Sequence, residues 1–269
     1  MMNRLADYHL HTSLCNHAHG TMKEYVKTAI KNNLGEIGFA DHAPIKTGAG
    51  ERFRMRPRDL QIYFETIQIL QKQYKTLKIK TGIELDFIVE KIDILKKFSQ
   101  NTNFDYVIGS VHYMQLPNQK KQAYLSEIKA ESVTTLYELY FNLIEKLARS
   151  GIFDIIAHFD LPIKFWGGFG NKEFKMAKRT LESIKKAGVC LEVNTSGFRT
   201  KGVLAPYPGK RLLNYACQLG IPVTLGSDSH HPNDVGSHFK EALQILIETG
   251  FKSISVFENR KRKSIPITC

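Results

Sequence analysis

The sequence predicts an α/β protein whose strands close, or nearly close, into one barrel, and three observations carry that reading. Short β-branched runs alternate with longer segments whose apolar residues recur at helical spacing. Glycines stand where left-handed caps would stop helices, at Gly35, Gly151, Gly188, Gly220 and Gly250. Finally, the alternation repeats seven times with no break in composition and no linker, which predicts a single domain spanning residues 1–269.

Taken in order, the expected strands are Leu5 to His9, Glu36 to Ala40, Lys78 to Leu85, Tyr106 to Ser110, Ile155 to Ala157, Val189 to Asn194 and Val223 to Ser227. The expected helices are Met22 to Asn33, Pro57 to Tyr74, Lys91 to Gln100, Ser132 to Ser150, Lys172 to Lys186, Lys210 to Leu219 and Asp234 to Glu248. Lys46 to Arg56 and Gln115 to Lys129 read as long loops over the barrel mouth.

Composition narrows the class. With 42% hydrophobic and 24% charged residues the chain has apolar material for a sizeable core and no signature of disorder. No run approaches the roughly 18 apolar residues of a membrane span, and MMNRLADYHLH lacks the features of a signal peptide, so the expected location is the cytoplasm. Cys15, Cys190, Cys217 and Cys269 are scattered and form no CxxC pair, which argues against a disulfide framework or a thiolate zinc site; Cys190 and Cys217 read as buried apolar fillers. A net charge of +12 favours an anionic partner without choosing among nucleic acid, membrane and small phosphate esters. The lysines spread over helix faces read as solvated surface, and the basic run Asn259 to Ser264 is too short to change that.

The chemistry is positional. At or just after most expected strand ends stands a good metal ligand: His9 and His11, His42, Glu84, His112, His158, and Asp228 with His230. In a barrel of this kind the carboxyl ends of the strands build the site, so scattered residues converge. Residues two apart on a strand share a face, which lets His9 pair with His11 and Asp228 with His230, while His17 lies in the loop beyond the first strand. Any one histidine is more often surface or satisfied core than ligand. Seven of the ten together, at strand ends or the adjoining loop, reverse that balance, because unpaired imidazoles in a core would each need a partner. Imidazole with carboxylate suits Zn, Mn or Fe, and Glu84 has the position to bridge two ions. His19, His231 and His238 are left as bystanders, and Asp7 and Asp41 are expected to orient imidazoles rather than bind metal.

The segments DYHLHTSLCNHAHGT, ADHAP, GIELDF, GSVHY, AHFDLP, NTSGFR and GSDSHHP, from Asp7 to Pro232, together resemble the polymerase and histidinol phosphatase (PHP) superfamily. Within it, Cys15, His17, Gly20, Thr21, Glu24, Tyr25 and NTSGFR look like the stand-alone phosphatases acting on histidinol phosphate in histidine biosynthesis. The resemblance implies a distorted (β/α)7 TIM-like barrel with its metal site at the C-terminal ends of the strands and three divalent ions. It assigns the first ion to His9, His11, Glu84 and Asp228, the second to Glu84, His112 and His158, and the third to His17, His42 and His230. APYPGKRLL, Ala205 to Leu213, departs from the stretch expected there.

Hydrolysis of a phosphate monoester needs a nucleophile at neutral pH, neutralisation of phosphoryl charge and help for the leaving alkoxide. The ions supply the first two. Arg199, beyond the sixth expected strand, is the expected phosphate-holding guanidinium, with a further contact from Arg54 or Arg56; surface charge is the competing reading for those two. Asp160, two residues after His158, is the expected general acid, against the alternative that it caps the turn before Leu161-Pro162. Trp166 and Phe169 cover a substrate ring or, as loop aromatics usually do, the core. The expected substrate is a small phosphate ester, L-histidinol phosphate, with no nucleic acid or membrane partner. Two readings compete: an esterase for another phosphate ester or nucleic-acid ends, and a non-catalytic metal-binding module. A nuclease would need a groove lined by stacking aromatics, and a non-catalytic module could lose ligands, yet every position is filled.

Overall fold

The computed structural model describes residues 5–267 apart from 47, 49, 102, 118, 120, 130 and 131, so Cys269 lies outside the described residues. Its elements run β1 (Ala6–Leu10), α1 (Met22–Lys31), β2 (Glu36–Phe39), α2 (Leu60–Gln73), β3 (Lys78–Asp86), α3 (Ile92–Ser99) and β4 (Tyr106–Ser110). The small strands β5 (Tyr113–Met114) and β6 (Ala123–Tyr124) precede α4 (Val133–Arg149), β7 (Ile155–Ile156), α5 (Ile163–Trp166) and α6 (Asn171–Ala187). The remainder is β8 (Cys190–Asn194), α7 (Ser196–Arg199), α8 (Lys210–Gln218), β9 (Val223–Gly226), α9 (Phe239–Thr249), β10 (Ser253–Glu258) and β11 (Lys261–Pro266).

Seven parallel strands in the order β1-β2-β3-β4-β7-β8-β9 make the sheet. It nearly closes: Ser229, just past β9, bridges Leu10, the His11 amide donates to the Ser229 carbonyl at 2.9 Å, and the Ser229 amide donates to the His9 carbonyl at 3.1 Å. The barrel is distorted because β7 contributes only two residue pairs to each neighbour and the β1–β2 register shifts between Asp7 and Leu10. Every expected strand and long helix is present within a few residues, except that α9 starts at Phe239 rather than Asp234 because Pro232–Asp234 winds into a separate 3-10 turn. Gly151, Gly188, Gly220 and Gly250 do take left-handed backbone. Gly35 does not; Asn33 takes that role after α1, with φ 56°.

Two apolar cores result. The larger lies between strands and helices, and the smaller fills the barrel's lower interior around Tyr8, Tyr106, Ile108 and Phe257. Tyr106 lies across the lumen and donates to the Tyr8 carbonyl at 2.7 Å; a Cβ at Gly38 or Gly82 would come within 2.2 Å of its ring or hydroxyl, so those strands need glycine. The β10–β11 hairpin, whose turn and second strand hold the basic run Asn259 to Ser264, closes this end. Phe257 packs edge-on against Tyr8 at 5.8 Å, and Arg260 at the hairpin turn pairs with Asp154 and donates to the carbonyls of Ser99 and Ile152 at 2.7 Å each. With the bottom plugged, the histidines and acids that follow the strands converge at the carboxyl ends. No helix is long and apolar enough to cross a membrane, among the described residues.

Candidate metal centre

Side chains from six strand ends meet at one place, and Glu84 on β3 is its centre. Its Oε2 lies 3.6 Å from His9 Nε2, 3.7 Å from His11 Nε2 and 2.8 Å from His42 Nδ1. Its Oε1 lies 3.5 Å from His158 Nε2 and 3.8 Å from His112 Nε2, which are themselves 3.1 Å apart. Asp228 brings Oδ1 to 3.3 Å from His11 Nε2 and 3.9 Å from His9 Nε2. His17 and His230 meet at 2.9 Å between their Nε2 atoms, and the His230 ring stacks on His11 at 4.0 Å. The nine residues singled out from the sequence thus stand together, with the two Glu84 oxygens facing different sets of imidazoles. Two details differ from the expected division: His42 turns Nδ1 toward Glu84, and His11, Cys15 and Asp41 form a further close-set group beside it.

The electrostatics favour a cation. His9 Nε2 and both Glu84 oxygens are buried without a hydrogen bond, a loss that a protein group or an ion must offset. Burial opposes charge on Glu84, yet His42, His9 and His112 hold its carboxyl well below the usual range; Asp228 is likewise held down against burial, chiefly by His9 and His11. Burial works against charge on His9 and His11 too, but Glu192, Asp228, Asp41 and Glu84 raise both well above the usual imidazole range. Burial pushes His17 down to about 4 and His230 to about 2, which leaves those lone pairs free near neutrality. Carboxylates demanding positive charge beside neutral imidazoles are the donor set of a divalent metal, and binding would displace the protons on His9 and His11.

Backbone strain marks the same place. His158 and Asp228 have φ of 24° and 51°, values costly for residues with a Cβ and sustained only where the surroundings enforce them.

Comparison with known proteins decides the family. Residues 7–196 match the model of the PHP domain. The chain belongs to the PHP family. Over 261 residues it is 36% identical to the probable histidinol-phosphatase of Deinococcus radiodurans, covering 97% of this chain and 99% of that one. It is 29% identical to the histidinol-phosphatase of Bacillus subtilis, covering 88% of this chain and 98% of the relative. Its fold superposes with a TM-score of 0.79 on histidinol phosphate phosphatase from Lactococcus lactis in complex with zinc, L-histidinol and phosphate, at 23% identity over 98% of this chain and 100% of that one.

The PHP match ends before Asp228 and His230, and closure of the barrel from β9 to β1 brings those two into the site. Behind the ligands stands a shell that the sequence reading largely missed. Glu192 on β8 puts Oε1 2.6 Å from His9 Nδ1, and its Oε2 accepts from the His158 amide and from Asn194 Nδ2, each at 2.9 Å. An acid inside the apolar strand CLEVN was the available signal. Asp86 stands 2.8 Å from His112 Nδ1 and pairs with Arg54 at 2.7 Å. Asp41 lies 3.5 Å from His11 Nδ1, whereas Asp7 accepts from the amides of Ser227 and Gly236 at 2.9 Å each and touches no imidazole ring.

The other residues singled out from the sequence are held by partners of their own. Arg54 is buried against Asp86 and steadies the carboxylate that orients His112, although it also borders the cavity. Arg56 pairs with Asp59 at 2.6 Å, away from the cluster. Arg199 does not border the cavity: its guanidinium donates to Ser237 Oγ at 2.5 Å and to the carbonyls of Ser227 and Asp228 at 2.7 and 3.3 Å, clamping the strained turn that carries Asp228. Asp160 is buried behind the wall, where Oδ2 accepts from the Gly209 amide at 3.0 Å; burial pushes its carboxyl up to about 7, and it does not reach the cavity as a general acid must. Trp166 and Phe169 pack on Tyr137 and cover core. His231 and His238 use their ring nitrogens locally, with the Asn233 amide and Glu241, and their rings meet those of His19 and Phe198.

Above the cluster opens a cavity of about 890 Å³. Both loops expected over the mouth border it: Gly50 to Arg54 from one, Tyr124, Ser126 and Glu127 from the other. Lys164 and Arg52 add positive charge to its wall, and Phe53, Tyr113, Tyr124 and Tyr207 add aromatic surface.

Proposed function

We propose that this protein is a metal-dependent histidinol-phosphatase, hydrolysing L-histidinol phosphate to L-histidinol and phosphate in histidine biosynthesis in the cytoplasm. The observation that carries the reading is Glu84, buried at the cavity floor with each carboxylate oxygen facing its own set of imidazoles. The relatives named for this activity align along nearly the whole chain.

Three divalent ions, zinc, manganese or iron, fit the donors present. His9, His11, Glu84 and Asp228 would hold one, Glu84, His112 and His158 a second, and His17, His42 and His230 a third. When bound, such ions supply a nucleophile at neutral pH and neutralise charge on the phosphoryl oxygens. The chain's own residues do the rest. Glu192 and Asp86 fix the ring orientation of His9 and His112, so that Nε2 of each faces Glu84. Arg199 holds the Asp228 turn. Lys164 and Arg52 draw the phosphate dianion toward the cluster, in keeping with the chain's charge of +12.

Phosphate release from L-histidinol phosphate, set beside a panel of sugar and nucleotide phosphates, tests the reading when metal content is measured on the same samples. A strong preference for histidinol phosphate that disappears on chelation supports it. Metal-dependent activity directed at another ester would replace the substrate, and inactivity with a full metal complement would reject catalysis.

A further inference from the structure

A phosphate group occupies a small part of a cavity of about 890 Å³, so the remaining wall must meet the organic half of the substrate. On the His112 side that wall is aromatic. The Tyr124 ring lies nearly parallel to His112 at 6.4 Å, with Tyr113 at 5.5 Å and Phe165 at 5.6 Å to its sides. Glu127 follows in the same loop: its Oε2 accepts from the Tyr124 amide at 3.2 Å, and the side chain is exposed to the cavity.

The charge on Glu127 is the telling feature. The chain carries +12 and gathers phosphate esters of any kind. A carboxylate at the mouth repels every one of them, unless the same molecule bears a cation to pair with it. The other acid at the mouth, Glu51, is differently placed: it accepts from the Gly48 amide at 2.8 Å, and its charge bears on Arg54.

Resting on the histidinol phosphate reading, we infer that Tyr124 and Glu127 form the subsite for the substrate's organic half, Tyr124 packing on its ring and Glu127 pairing with its ammonium group. Selectivity then comes from a pairing that phosphates of uncharged sugars cannot make, and from a repulsion that they cannot escape.

Glu127→Gln keeps an acceptor for the Tyr124 amide and removes only the charge, so the turn is preserved. Kinetics of the metal-loaded enzyme on L-histidinol phosphate and on p-nitrophenyl phosphate, which has no cation, test the inference. The ratio of kcat/KM for the first substrate over the second falls about tenfold in the variant, as expected for losing one partly exposed charged hydrogen bond, and the loss lies in KM. An unchanged ratio, or a loss produced by Glu51→Gln in its place, overturns the assignment. Wild-type enzyme that hydrolyses p-nitrophenyl phosphate but shows no preference for histidinol phosphate overturns the substrate reading first, and this inference with it.

Discussion

Glu192 Oε1 lies 2.6 Å from Nδ1 of His9, both side chains fully buried, so the hydrogen on that ring nitrogen is held by a carboxylate and Nε2, directed at Glu84 and Asp228, is the nitrogen a metal ion would take once its proton is displaced. Glu192→Gln weakens that donation and removes the carboxylate's negative charge. Zinc affinity measured by competition with a chromophoric chelator should fall roughly 10- to 100-fold, the usual cost of removing such a partner. An affinity within a factor of two of wild type would assign Glu192 to backbone support at His158 alone.

Glu84→Ala removes the one carboxylate that faces both imidazole sets. The expected outcome is loss of most activity together with loss of bound metal, read by elemental analysis on purified protein. A variant that retained its full metal content and turnover would show that the two sets act independently of Glu84.

Asp160 supplies a pH signature. Its carboxyl is pushed up to about 7 by burial, only partly offset by the Gly209 amide, while in the unfolded chain it ionises near 4. Between those values the folded state holds a proton that the unfolded state has released, so this group subtracts stability as pH rises from about 4 to about 7, and the deficit persists above. Asp160→Asn therefore gains stability over wild type at pH 8, by up to a few kcal/mol, and the gain fades by pH 4. Urea midpoints across that range check it, and a constant difference between the proteins would rule out the titration.

Arg260 ties the hairpin to the base of the barrel through Asp154 and two carbonyls, at the end opposite the metal centre. Arg260→Ala should cost about 2 kcal/mol in chemical denaturation, because three buried or half-buried acceptors lose their donor. Turnover of the folded fraction should stay within twofold. A large loss of kcat without loss of stability would show that the hairpin communicates with the site.

Nearly all of the barrel was legible because β-branched runs and helical periodicity are local signals, and they recur seven times with glycine punctuation at Gly151, Gly188, Gly220 and Gly250. The β10–β11 hairpin was not legible. Its second strand reads KRKSIP, charged on an exposed edge, and only Phe257 and the left-handed turn at Asn259 and Arg260 reveal that it packs.

The amino-acid sequence by itself determined which residues could bind metal. Imidazole and carboxylate are chemical identities, and their placement after successive strands implies convergence in a barrel before any coordinate is known. Only the tertiary structure decided what those residues rest on and which polar side chains face the cavity. Arg199, Arg54 and Asp160 were legible as charges near the site, but the structure gives the first to the carbonyls of Ser227 and Asp228, the second to Asp86 and the third to the Gly209 amide. It also places Glu192 behind His9 and Glu127 at the cavity wall. The physical reason is that ligation depends on residue type at strand ends, which the chain order encodes, whereas hydrogen-bond partnership depends on distances of about 3 Å between segments far apart in sequence, which exist only once the barrel has closed.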